Sequence, residues 1–239
     1  MIKCESYGIS DIGLVRPNNE DCYLAMGRYH FFALADGMGG HKAGEVASKE
    51  ALDSLKASIK EIIHPQKKAK IPSQDLIYHF RSAIENANNK VYKMSLDKEE
   101  FRGMGTTLCC LYIYEDSMIY AHVGDSRIYR YRERELKLLT EDHSLLTECK
   151  QNPRTYKHVL TRAIGTHVNS EPDIASATLQ KDDIFFMCSD GLSDLVTLHE
   201  MEAVLQEEKS LKKTASKLVE MAKVKGSHDN ITILFLRIK

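Results

Sequence analysis

The apolar run Phe31-Phe32-Ala33-Leu34-Ala35 stops abruptly at Asp36-Gly37-Met38-Gly39-Gly40-His41. It has the length of one buried strand. A strand that ends in Asp-Gly holds its carboxylate at a sheet edge on a rigid support. The glycines let the backbone pass close to whatever the carboxylate binds. The design recurs in this chain. Ile184-Phe185-Phe186-Met187-Cys188-Ser189 leads into Asp190-Gly191, Tyr120-Ala121-His122-Val123-Gly124 into Asp125, and Asp229-Asn230 opens the run Ile231 to Leu236. One Asp-Gly alone is more often a hairpin turn; four acids at strand ends form a pattern. If those ends meet, the carboxylates crowd together, and like charges that close stay protonated unless a cation sits among them.

The 239 residues suffice for one large domain with a well-buried core, and no internal boundary, repeat or low-complexity tract divides them. A net charge of -1 gives no reason to expect nucleic acid or an acidic membrane surface as partner. None of the six cysteines forms a Cys-x-x-Cys pair, and they read as reduced thiols of a cytoplasmic protein. There is no His-Glu-x-x-His, which speaks against zinc. No apolar stretch approaches the roughly 20 residues of a membrane span, and the N-terminus lacks a signal-peptide core.

Along the chain, Ile2–Ser10 reads as a strand, followed by a hairpin of Cys22–Met26 with Tyr29–Ala35. Helical spacing runs over Lys42–Ile63, with Val46, Ala47, Ala51, Leu55, Ile59 and Ile62 near one face. A basic connector, His64 to Lys70, leads to a second helix from a Ser73 cap to about Leu96. Strands are expected at Thr106–Tyr114, Met118–Val123, Arg127–Arg132 and Leu136–Leu139, with short connections that imply antiparallel pairing throughout. Residues 141–162 lose the pattern and read as an insertion beside the sheet. Within it, Asp142 and His143 read as a cap acid and a surface histidine. A further hairpin is expected of Ala175–Leu179 with Ile184–Ser189. A capping box at Thr197 and Glu200 starts one helix, and Ser210 caps the next, which stops at Gly226. Strands and helices in blocks, rather than alternating, indicate an antiparallel α+β fold with the acids on one edge.

Clustered Asp carboxylates with a backbone carbonyl at glycine suit a hard cation, Mg²⁺ or Mn²⁺. Two such ions can generate a hydroxide nucleophile and neutralise phosphoryl oxygens. Arg16 can grip a phosphate in bidentate fashion, and Asp21 can orient a metal-bound water. These residues reach metal-assisted phosphate chemistry without choosing a substrate.

The segments Ser10-Asp11-Ile12-Gly13 through Asn19-Glu20-Asp21, Ala35 to His41, Gly103-Met104-Gly105-Thr106-Thr107, Gly124-Asp125-Ser126-Arg127, Thr140-Glu141-Asp142-His143-Ser144, Leu160 to Gly165, Ser189-Asp190-Gly191-Leu192 and Asp229-Asn230 resemble, in order, the motifs of bacterial metal-dependent serine/threonine phosphatases of the protein phosphatase 2C (PPM) family. The ordered set covers essentially the whole chain. The resemblance implies a four-layer α-β-β-α sandwich. Asp36 would bridge two Mn²⁺ or Mg²⁺ ions, Gly37 would offer its carbonyl, and Asp190 and Asp229 would complete the second site. Asp125 with Asp190 would form a third position. Arg16 would bind phosphate and Asp21 would contact a metal-bound water. The implied reaction is direct in-line attack of metal-activated water on phosphoserine or phosphothreonine. The implied partners are phosphoproteins and a cognate serine/threonine kinase, with the chain acting as a monomer.

The chain departs from the family pattern at two places. Eukaryotic members read Asp-Gly-His-Gly-Gly, with that histidine proposed as general acid. Met38 stands there, as in bacterial members, and a thioether donates no proton; His41 is the nearby histidine. The flap after Asp142 is also short, with Cys149–Lys157 replacing a longer stretch. A catalytically silent, phosphoprotein-binding relative would be expected to have lost an Asp, and all four are present. A calcium loop would need Asp-x-Asp-x-Asp-Gly spacing, which is absent.

Overall fold

The computed structural model describes residues 2–39, 43–66, 73–145, 147 and 159–239. In chain order the strands are β1 (Cys4–Asp11), β2 (Asp21–Met26), β3 (Phe31–Met38), β4 (Gly105–Thr106), β5 (Leu108–Tyr114), β6 (Ser117–Val123), β7 (Arg127–Arg132), β8 (Glu135–Leu138), β9 (Asp173–Thr178), β10 (Ile184–Cys188) and β11 (Ile231–Ile238). The helices are α1 (Ala43–Gln66), α2 (Ser73–Asp97), a single turn α3 (Asp190–Ser193), α4 (Leu198–Glu207) and α5 (Leu211–Val224). One sheet runs β1-β11-β10-β7-β8. The other runs β2-β3-β5-β6-β9, with β4 against the end of β3. Every pairing is antiparallel.

The period of two in the strands assigns the layers. On β3, Phe31, Ala33 and Ala35 face α1 and α2, while Phe32 and Leu34 face the other sheet. Small residues meet small residues on the helix side. Ala33 and Ala35 share a core with Ala43, Ala47 and Ala51 of α1, so that helix can lie close to the strand. Between the sheets, Phe32, Leu34, Cys109 and Leu111 pack with Ile128, Phe185, Met187, Leu234 and Leu236. On the outer face of the first sheet, Phe186, Ile233 and Phe235 pack against Met201, Val204, Ala215 and Leu218 of α4 and α5. The result is the expected α-β-β-α order. Among the described residues no helix is long and apolar enough to cross a membrane.

Two expected hairpins are instead crossings between sheets. β6 pairs with β5 and β9, whereas β7 pairs with β10 and β8, so Gly124-Asp125-Ser126 carries the chain from one sheet to the other. Likewise β9 and β10 lie in different sheets. There the buried Asp183 takes both donors of Arg132 on β7, at 2.7 and 2.6 Å, and its backbone pairs with Ile238. That anchor draws the corner onto the first sheet. The strand expected from Thr106 to Tyr114 is also interrupted. Thr107 leaves the ladder, and its hydroxyl accepts the amide of Asp36.

The other ends agree closely with expectation. The capping box at Thr197 and Glu200 is formed. Ser210 occupies the N-cap of α5 without a side-chain capping bond, and its carbonyl instead accepts from the Thr214 hydroxyl. Gly226 ends that region with φ +85°. His41, the rest of the basic connector at 67–70 and the segment 149–157 lie outside the described residues.

Candidate active site

The acids at the strand ends meet at one edge of the two sheets. Asp36 is carried by β3, and both its backbone groups are used by the neighbouring strands. Its amide donates to Thr107 Oγ1 at 3.0 Å, and its carbonyl accepts from the Thr106 hydroxyl and the Thr107 amide, both at 2.8 Å. Gly37 donates its amide to the Glu20 carbonyl at 3.1 Å. A Cβ on Gly37 would overlap the Gly44 carbonyl and come 2.7 Å from the Glu20 carbonyl, so only glycine lets α1 begin there.

The other acids arrive from the first sheet. Asp190 follows β10 as the first residue of α3, and Asp229 stands before β11. Asp125 sits on the crossing between β6 and β7. With Asp36 and Gly37 these three line one pocket of about 250 Å³. Arg16, Glu20, Met38 and Leu160 complete much of its wall. Arg16 donates from Nη2 to Asp229 Oδ2 at 2.7 Å, with half of its side chain exposed. The expected site residues are thus brought together, with one difference. Asp21 faces Asp36 across the β2–β3 pair and is buried beneath it rather than on the pocket wall. Its Oδ2 accepts from the Ser189 hydroxyl at 2.7 Å, and Ser189 Oγ in turn accepts the Thr232 amide.

The electrostatics are those of crowded acids. Burial, followed by the charges of Asp21, Asp190, Asp125 and Asp229, holds the Asp36 carboxyl well above the usual carboxylate range. Burial and then Asp125 and Asp229 do the same to Asp190. Burial, with Asp142 next, pushes Asp125 up to about 6. Burial likewise raises Asp21 to about 6, against the Ser189 hydrogen bond that favours its anion. Glu20 is raised by burial, with Arg16 opposing. Acids held this way have a strong electrostatic affinity for cations. All the donors are oxygen, which fits Mg²⁺ or Mn²⁺ and not a thiophilic metal.

Three contributors were not singled out in the sequence. Asn230 is buried, and its side chain ties three loops. Oδ1 accepts the Glu20 amide at 2.8 Å, and Nδ2 donates to the carbonyls of Ile12 and Asn18 at 2.9 Å each. The Asp229-Asn230 pair was the signal for it. Glu20, next to Asp21 in the sequence, also lines the pocket. Thr107 supports Asp36, as described. One reading is corrected outright: His143 is 2 % exposed, not a surface histidine. Asp142 pairs through both oxygens with Arg127, at 2.9 and 2.7 Å, and caps no helix among the described residues. Met38 ends β3 on the pocket wall, opposite Gly105.

Comparison with known proteins agrees with this arrangement. The family model described as protein phosphatase 2C matches residues 18–231. The chain is 33% identical over 241 residues to the serine/threonine phosphatase stp of Listeria welshimeri, covering 95% of this chain and 93% of that one. It is 32% identical to the protein phosphatase PhpP of Streptococcus pneumoniae, with 94% of each covered. The structure superposes on the Mycobacterium tuberculosis serine/threonine phosphatase PstP/Ppp with a TM-score of 0.87, at 30% identity and 100% coverage of both chains. It also superposes on a PstP catalytic domain in complex with two manganese ions, with a TM-score of 0.86, 31% identity and coverage of 100% of this chain and 99% of that one.

Proposed function

The chain belongs to the protein phosphatase 2C family, and on that premise we propose that it hydrolyses phosphoserine and phosphothreonine in proteins at a centre of two divalent cations. The observation that carries the reading is the convergence of Asp36, Asp190 and Asp229, with the Gly37 backbone, on one open pocket that also holds Arg16. Asp36, at the end of β3, would bridge the two ions. The Gly37 carbonyl would serve one ion, and Asp190 and Asp229 the other. Asp125 with Asp190 would hold a third. Bound divalent ions supply an activated water for direct attack and offset the charge on the phosphoryl oxygens.

The chain's own groups do the rest. The Arg16 guanidinium has five donors in a fixed fork and uses one nitrogen on Asp229, which leaves others for phosphate oxygens. Asp21, held by the Ser189 hydroxyl behind Asp36, would orient a water bound to the cations. Met38 has no proton to give the leaving alkoxide. The substrates imply a serine/threonine kinase that supplies them. The family match over 18–231 supports a single catalytic domain.

Purified protein assayed on a phosphothreonine peptide should turn over in Mn²⁺ and stop in EDTA. Asp36→Asn and Asp190→Asn should each abolish turnover. Folded protein that hydrolyses no phosphopeptide in either metal would sink the enzyme reading in favour of phosphoprotein binding alone.

A further inference from the structure

Beside the pocket, and apart from its carboxylates, lies a second group of metal-type side chains. His122, His143 and Asp173 place donor atoms within 4.8 Å of one another. Their hydrogen bonds argue for something other than a metal. The Gly124 amide donates to His143 Nδ1 at 3.2 Å, so Nδ1 is an acceptor and the proton resides on Nε2. Nε2 then donates to Asp173 Oδ2 at 3.1 Å. A cation at Nε2 would need that proton on Nδ1, where it would oppose the Gly124 N–H. Asp173 is also already paired with Arg162, whose Nη1 lies 3.1 Å from Oδ1. The neighbouring His122 packs against His143 with ring centroids 4.4 Å apart and planes tilted by 33°, and donates from Nε2 to the Glu141 carbonyl at 2.9 Å.

The same histidine grips Gly124 twice. Besides the side-chain bond, the His143 amide donates to the Gly124 carbonyl at 3.0 Å. One residue thus holds both polar groups of Gly124, the residue before Asp125. A backbone grip is the available kind here. Gly124 has φ +103°, and a Cβ would come 2.7 Å from Thr107 Cγ2, so Gly124 itself can carry no side chain to fix it, while Ser126 on the far side of Asp125 is held by the Thr107 hydroxyl at 2.7 Å. His143 also joins the turn to the segment after Asp142. Its carbonyl accepts the Thr161 amide at 3.0 Å, and Ser144 bridges to Leu160, which lines the pocket.

We propose that His143, oriented by Asp173, is a positioning residue: it clamps the Gly124 peptide so that Asp125 is presented to the cation pocket, and ties that turn to the base of the segment carrying Leu160. The inference rests on Asp125 being a cation ligand.

Mn²⁺ binding by calorimetry is the test, on wild type, His143→Ala, His143→Asn, Asp125→Asn and the double variant His143→Ala/Asp125→Asn. The Asn side chain keeps an acceptor near the Nδ1 position. Losing one hydrogen bond corresponds to about fivefold in affinity, so His143→Ala should weaken the Asp125-dependent ion by about that factor. His143→Asn should restore most of it. In the Asp125→Asn background the loss should vanish, because coupled sites are not additive. In metal-free protein the Gly124 amide should exchange with deuterium faster in His143→Ala than in wild type. Should His143→Ala fail to fold, Asp173→Ala carries the same comparison, since that side chain is 54 % exposed. An unchanged isotherm for His143→Ala, or a loss that adds in full to that of Asp125→Asn, overturns the clamp. If Asp125→Asn itself leaves Mn²⁺ binding unchanged, the ligand reading beneath it fails, and the exchange at Gly124 still reports whether the grip exists. A Zn²⁺ isotherm that disappears on substituting His122, His143 or Asp173 overturns the proton order.

Discussion

Asp125→Asn should stabilise the metal-free protein and weaken its response to metal. The wild-type carboxyl titrates near 6 in the fold, raised from 3.8 mainly by burial and then by Asp142. A raised folded value means that the folded state holds the proton more tightly than the unfolded chain. The associated stability is therefore complete below about pH 3.8 and is lost as the pH rises through 6. Above pH 6 the fold carries an ionised carboxylate at a cost of about 3 kcal/mol, from roughly 1.4 kcal/mol per pK unit. That figure is an upper bound, because the pocket is open to water and screening lowers it. The neutral amide escapes the cost. In EDTA at pH 8, urea unfolding should show Asp125→Asn more stable by about 1–3 kcal/mol. The gap should narrow between pH 6 and pH 4, where the wild-type acid becomes neutral in the fold. In saturating Mn²⁺ the order should reverse or close, because wild type gains the binding free energy of every ion and the variant lacks a ligand. A variant less stable than wild type in EDTA at pH 8 would refute the reasoning, since Asp125 would then be held by favourable contacts rather than tolerated against repulsion.

Arg16→Ala should raise KM for a phosphothreonine peptide by about tenfold, the size of one charge-assisted hydrogen bond at a half-exposed position, with a smaller change in kcat; steady-state kinetics in Mn²⁺ decide this, and an unchanged KM would remove Arg16 from phosphate binding. Gly37→Ala should lower thermal stability even without metal, because its Cβ meets the backbone of Gly44 and Glu20 rather than a movable side chain. Overpacking of that kind costs about 3 kcal/mol, a fall of roughly 6–12 °C in Tm for a chain of this size; a calorimetric Tm within a degree or two of wild type would show that α1 can shift.

What could be read from the sequence was what depends on local pattern. The run Phe31 to Ala35 is apolar at both parities, and a strand with a helix layer on one side and a sheet on the other needs that. Strand-terminal acids announced the pocket because four of them recur in one chain, where a single Asp-Gly would read as a turn. What could not be read was set by partners far away in the chain. A short connection, three residues at Gly124–Ser126 or five at Leu179–Asp183, looks like a hairpin whichever sheet the next strand joins. Distant pairings decide it, such as β7 with β10 and Arg132 reaching Asp183, contacts that no local spacing encodes. His143 shows the cost of the default most clearly. A histidine beside an aspartate in a polar stretch reads as surface, yet burial, followed by the neighbouring His122, holds its imidazole down to about 4. A neutral ring is what an acceptor Nδ1 requires. The same burial that hid the residue from pattern reading therefore suits it to holding a backbone amide, and the Gly124-Asp125 turn depends on that bond.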